Sequence, residues 1–279
     1  MNNETIALTR INNARINKQS SLSLHNLELE NLPPEVLKLT NLNCLDLSNN
    51  NLKSLPPEIS NLKHLCKLDL WNNPLTSLHS DISKLEKLTN LNCLNLGNNN
   101  LKSLPDNISN LTELRDLDIS YNQLTSLHSD ISKLEKLTML IRLNLSSNKL
   151  EPLPNNISNL LVTILILSDN NLKSFPFEIL NLEDLRDLDI SCNQLTSLPP
   201  EISELTELTE LDVAYNQIKS LPPEIFELEL TKLNLTDNPL ESPPIEVANK
   251  GITAMRNYFK IKIKKKISFA FLYPPRRYR

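Results

Sequence analysis

From Leu45 to Lys67 the chain reads LDLSNNNLKSLPPEISNLKHLCK, and almost everything else is a variation on that stretch. The leucine that opens it recurs at 22, 45, 68, 94, 117, 143, 165, 188, 211 and 233, mostly in steps of 23 residues. A unit this short cannot bury its leucines alone, whereas tandem copies can stack and share one continuous core. The period therefore predicts a single elongated domain of ten units over residues 21–248. Within each unit, L-x-L should form one strand of a parallel sheet, with leucines inward and the alternate residues on an open face. The stretch after L-x-x-L-P, such as PPEISNL, begins with Pro and has apolar residues at helical spacing, which predicts a short helical turn on the opposite side. At about 4.8 Å per strand, ten strands make a ladder of about 45 Å.

Asn occupies one slot after the strand at 50, 73, 99, 122, 148, 170, 193, 216 and 238, with Leu27 in its place in the first unit. A side-chain amide both donates and accepts, so it can satisfy backbone groups where the chain leaves the ladder. Two steps, 68 to 94 and 117 to 143, are 26 residues long because KLEKLT extends the convex stretch, enough for about one more helical turn. TSLHSDISKLEKLT at 76–89 returns unchanged at 125–138, which indicates a duplicated two-unit block and makes His79 and His128 equivalent positions.

The ends differ from the units. Residues 1–20 suit a short capping helix, with Asn2 or Asn3 as its cap and Ala7, Ile11 and Ala14 as its apolar stripe. At the other end, Ile252, Met255, Tyr258 and Phe259 predict a second capping helix over 249–263, set off from the preceding turn by Gly251. Residues 264–279 fit neither unit nor cap, and the expectation is a disordered basic tail.

The unit form L-x-x-L-x-L-x-x-N-x-L-x-x-L-P-x-x-I, with the closing segment N-P-L-x-x-P-P-x-E-V, resembles the typical intracellular class of leucine-rich repeat proteins. That class includes plant Ras-group-related repeat proteins, Shoc2-like scaffolds and bacterial repeat proteins. The resemblance covers residues 3–259. It implies an α/β leucine-rich repeat solenoid, a right-handed superhelix with a parallel concave sheet of about ten strands and short helical turns on the convex side. It further implies that the asparagine column is a ladder and that the concave surface binds another protein. It identifies no partner, because outward residues, not the scaffold, carry specificity.

Composition narrows the function. Only two glycines occur, Gly97 and Gly251, so no glycine-rich phosphate loop can be drawn. Cys44, Cys66, Cys93 and Cys192 form no C-x-x-C pair and no disulfide-bonded cap, which favours a reducing compartment. The N-terminal stretch lacks the apolar core of a signal peptide, and no run approaches the roughly 18 apolar residues of a membrane span. The expectation is a cytoplasmic monomer without enzymatic activity, cofactor or metal. His25, His64, His79 and His128 are scattered, and Cys44 and Cys93 sit two units apart, too far for a shared tetrahedral metal.

The net charge of −4 conceals an asymmetry: residues 250–279 hold ten of the 29 basic residues and none of the 33 acidic ones. Residues 178–229 are the acidic extreme, with thirteen acids against Arg186 and Lys219. Asp187, Asp189, Glu210 and Asp212 should lie on adjacent strands and face one way. Like charges on a ladder repel, and a basic partner would relieve them; the alternative is a solubilising acidic face. Trp71 breaks a run of small residues in the next outward column, which makes it a candidate interface anchor, with Tyr121 and Tyr215, one residue further on in their own units, to assist it; the alternative is that it packs over its neighbours. Lys260, Lys262, Lys264, Lys265 and Lys266, followed by ISFAFLY, suit an anionic membrane or nucleic acid. The expected function is a protein-protein interaction scaffold, with signalling as the expected setting. The rival readings are a bacterial effector acting on a host protein and an anionic-surface binder driven by the tail.

Overall fold

The computed structural model describes residues 2–76, 88, 90–104, 106–127, 134–151 and 153–272, with side chains for all of these except 106–107, 155–156 and 265–272. The repeated L-x-L segments form ten three-residue strands: β1 (Ser21–Ser23), β2 (Cys44–Asp46), β3 (Lys67–Asp69), β4 (Cys93–Asn95), β5 (Asp116–Asp118), β6 (Arg142–Asn144), β7 (Ile164–Ile166), β8 (Asp187–Asp189), β9 (Glu210–Asp212) and β10 (Lys232–Asn234). They make one parallel sheet in sequence order. The register is in step throughout, since Leu45 pairs with Leu22 and Leu68, and Leu211 with Leu188 and Leu233. A register of period 2 puts every leucine of that column on the same face.

The convex side carries single 3₁₀ turns, among them Pro34–Lys38, Pro57–Asn61, Pro200–Glu204 and Pro223–Glu227. Each opens on a proline, whose missing N–H costs nothing at a helix start. Each drops its isoleucine or valine into the core, as Val36, Ile59, Ile202 and Ile225 show at 0–1% exposure. The core is thus one leucine-lined layer between sheet and turns. All of the first KLEKLT extension except Leu88, and both duplicated histidines, His79 and His128, lie outside the described residues.

At the first edge, helix α1 (Asn3–Ile16) is capped by the Asn2 side chain, which accepts from the Thr5 N–H at 2.9 Å. It buries Ala7, Ile11 and Ala14, the expected stripe. At the last edge, the turn α2 (Ile245–Ala248) leads through Gly251, at φ +87°, into α3 (Ile252–Leu272). Met255 and Phe259 are buried, and Ile252 and Tyr258 pack beside them. The sequence boundary at 263 falls inside α3, and residues 264–272 are helical where a disordered tail was expected. No glycine or proline stands between Gly251 and Pro274, so nothing in the chain stops the helix sooner.

Candidate functional site

The open face is built on asparagines. In each of nine units the ladder amide is buried and used from both ends: Asn99 Oδ1 accepts from Leu75 N at 3.1 Å, while Nδ2 donates to Leu70 O, Leu96 O and Gly97 O at 3.1, 3.0 and 2.9 Å. In the first unit Leu27 fills the slot, and its N–H donates to Asn50 Oδ1 of the next. These residues are structural.

The outward column at the strand's last residue has a structural duty too, one that sequence reasoning missed. Oδ1 of Asp46, Asp69, Asn95, Asp118, Asn144, Asp189, Asp212 and Asn234 accepts the N–H two residues on, at 2.9–3.2 Å. Aspartate and asparagine supply that acceptor equally, which is why both alternate there. At Asp46, burial alone would push the carboxyl up, but hydrogen bonds from Ser48 and Ser23 outweigh it and hold the group below the ordinary value.

That turn then passes through a left-handed residue in all ten units, from Asn26 at φ 55° to Asp237 at 53°. Asn fills it in the first four units; Tyr121 and Tyr215 fill it later, at φ 52° and 54°, with 54% and 56% of their surface exposed. Asn tolerates this backbone, whereas a bulky residue there costs of order 1 kcal/mol.

Trp71 is half-buried, not fully exposed. It lies across Gly97 in the next unit, where a Cβ would collide with ring atoms Cε3 and Cζ3. Its ring meets Tyr121 edge to face, with centroids 5.7 Å apart and planes at 77°. The packing alternative holds for Trp71: it lies over a neighbour and in doing so makes one aromatic shelf with Tyr121. Gly97 is the residue the sequence reading did not single out, although a glycine one unit beyond the lone Trp was the available signal.

The four acids come together as expected. Asp187 pairs in register with Glu210, and Asp189 with Asp212. They are not equally free. Lys232 Nζ lies 3.4 Å from Glu210 Oε2, and Asn234 Nδ2 donates to Asp212 Oδ2 at 2.8 Å. Burial, followed by the Glu210 charge, raises the Asp187 carboxyl above its ordinary value. Hydrogen bonding to the Asp237 carboxylate raises the Tyr215 phenol likewise. The shelf and the acids do not meet: between β5 and β8 lie the Arg142–Asp116 ion pair at 3.2 Å and the half-buried Ile164 and Ile166. At about 4.8 Å per strand, Trp71 and Asp189 are about 24 Å apart along the sheet.

On α3, Lys260, Ile261, Lys262, Ile263 and Lys264 are exposed, and Lys262 donates to Ser242 Oγ at 2.9 Å; the side chains of Lys265 and Lys266 lie outside the described residues. Among the described residues no group of three or more His, Cys, Asp or Glu is placed to hold a metal ion, and no helix is long and apolar enough to cross a membrane. Cys44 and Cys93 are separated by Lys67 on the strand between them.

No curated protein matches the chain significantly. Family models described as leucine rich repeat match residues 63–124, 161–218 and 183–240, and a second one matches 41–62 and 139–160. A solved leucine-rich repeat protein of Leptospira interrogans is 30% identical, with TM-score 0.57, over 86% of this chain and 78% of its own. The plant peptide hormone receptor RGFR1, solved in complex with RGF2, is 30% identical with TM-score 0.58, over 75% of this chain but only 38% of its own. An internalin of Listeria monocytogenes, 24% identical over 75% of this chain and 66% of its own with TM-score 0.59, shares the fold. Register and ladder agree with the family models over the residues these match, and the chain belongs to the leucine-rich repeat proteins.

Proposed function

We propose that this chain is a non-enzymatic scaffold that binds a protein through its concave face, with the Trp71–Tyr121 shelf as the apolar anchor and Asp187, Asp189, Glu210 and Asp212 facing a basic region of the partner. Leucine-rich repeat proteins typically mediate protein-protein interaction, and two structural neighbours are solved with a partner, RGFR1 with RGF2 and PEPR1 with AtPEP1. The observation that carries the reading is the placement of Tyr121 and Tyr215: exposed aromatics in left-handed backbone, where Asn would serve the fold better. Exposed aromatics at a cost to the fold are what a binding surface needs. Four unpaired cysteines suit a reducing compartment.

The test is a pull-down with mass-spectrometric identification, comparing the intact chain with Tyr121→Asn/Tyr215→Asn and with Asp189→Asn/Asp212→Asn. Asn keeps the turn-capping oxygen at both positions, so the second variant removes the two charges and, at position 212, the oxygen that accepts from Asn234 Nδ2, while sparing the turns. A partner captured by the intact chain and lost from both variants supports the reading. The tyrosine variant should also relieve about 1 kcal/mol of backbone strain per site, offset at 121 by loss of the Trp71 ring contact. Capture of the same set by all three refutes it.

A second reading has its own observation. Ile261 and Ile263 stand 56% and 44% exposed between exposed lysines on α3, a combination suited to an anionic lipid surface. Co-sedimentation with phosphatidylserine vesicles should then fall when the chain ends at Phe259; unchanged co-sedimentation excludes this role for α3.

A further inference from the structure

The two edges of the sheet are closed differently. At β1, α1 lies over the edge: Leu22 is 4% exposed, and Arg10 Nη1 donates to Ser23 O at 3.1 Å. At β10, α3 packs instead against the convex turn, Phe259 on Phe226 with centroids 5.4 Å apart. Of the ten leucines in the central strand column, nine are 0–4% exposed and Leu233 alone stays half-buried.

The backbone is open at the same place. Val213 N donates forward to Asn234 O at 3.0 Å and Tyr215 N to Thr236 O at 2.8 Å, while Thr209 O accepts from Thr231 N and Lys232 N at 2.8 and 3.2 Å. The same pattern runs through the preceding units. Its equivalents in the last unit are the N–H groups of Leu235 and Asp237 and the carbonyl of Thr231, and beyond them the sheet has no further strand among the described residues. A groove of about 730 Å³ lies here, between residues 229–236 and the α2–α3 elbow. Arg256 lines it, with Nη2 bonded to Leu228 O at 3.1 Å and Nε buried without a partner among the described residues.

A row of unpaired strand groups is matched by another extended backbone, which supplies donors and acceptors at the same repeat. We propose that β10 is a strand-addition site, where an extended segment of a partner protein joins as an eleventh strand, setting an apolar side chain on Leu233 and an acidic one toward Arg256 and Lys250. The acidic preference follows from the groove's own charge, Lys250 and Arg256 against Glu229, with Lys232 already shared with Glu210. The chain's residues 273–279, YPPRRYR, are a poor occupant: two prolines cannot donate, and three arginines add like charge. The site is separate from the concave shelf and acids and does not rest on their role.

The test pans a phage-displayed decapeptide library on the intact chain, then titrates synthetic copies of the selected peptides and follows amide exchange. Selected peptides should alternate aliphatic residues with polar ones and carry Asp or Glu, and saturation should slow exchange at Leu235 and Asp237. Thr253→Trp, which fills the groove from an exposed position, and Lys250→Glu should each weaken binding at least about tenfold while leaving urea unfolding unchanged. Recovery of no peptide, binding indifferent to both variants, or protection away from β10 overturns the proposal. So does protection of these amides without peptide, whether it scales with protein concentration, which identifies a second copy, or vanishes on truncation after Leu272, which identifies the chain's own tail.

Discussion

A single missing methyl group shapes the concave surface. Trp71 can lie across the sheet only because residue 97 has no side chain, and that position brings its ring edge to Tyr121. Gly97→Ala should lift the ring. Because Trp71 is the chain's one tryptophan, its fluorescence reports the change directly, and the emission maximum should move to longer wavelength with the far-ultraviolet circular dichroism unchanged. An unshifted spectrum would mean the ring is not seated there. Asp187 is the complementary case among the acids. Its carboxyl is raised by burial and by Glu210, so its folded-state value lies above the unfolded one. Such a group favours the fold when protonated, and that contribution is lost as pH rises through the folded value. Asp187→Asn should therefore be more stable than the intact chain at pH 7 and closely matched to it at pH 3, in parallel urea titrations. A bound basic partner should reverse the penalty, so affinity should rise with pH across the carboxylate range.

At the scale of the element, each unit is a short strand, a capped turn and a 3₁₀ segment, held to its neighbours more than to itself. The asparagine is the joint. Asn122 serves Leu101 N, Leu96 O, Ile119 O and Ser120 O at 2.9–3.1 Å, and thus ties its own unit to the one before. Asn122→Ala leaves several buried backbone groups unpaired, each worth about 1–3 kcal/mol, and should cost at least about 2 kcal/mol in urea denaturation. The loss should appear as earlier exchange of amides on both sides of β5, since neighbouring units share the bond. The turn after each strand was harder to read. A column of Asp and Asn looks like a charged face until the Oδ1 bonds show that its first duty is to close the turn, which leaves only the outer oxygen for a partner.

Across the whole molecule, the ten-unit stack and its in-step register were legible in the chain, because a period of about 23 residues admits one way of burying its leucines. Leu22 to Leu233 align on one face for the same reason. The asparagine ladder was legible too, since a polar residue recurring at one slot inside an apolar period must be satisfied there. What lies between units was not. Whether Trp71 stands free or lies on Gly97, and how far Lys232 and Asn234 engage Glu210 and Asp212, depend on side chains 22 to 26 residues apart in sequence. The reach of α3 and the open edge at β10 likewise depend on where a helix docks, on the convex turn and not over the last strand. Local pattern determines each unit because its contacts repeat; the surface is decided by pairs that occur once, and those exist only after the units have stacked.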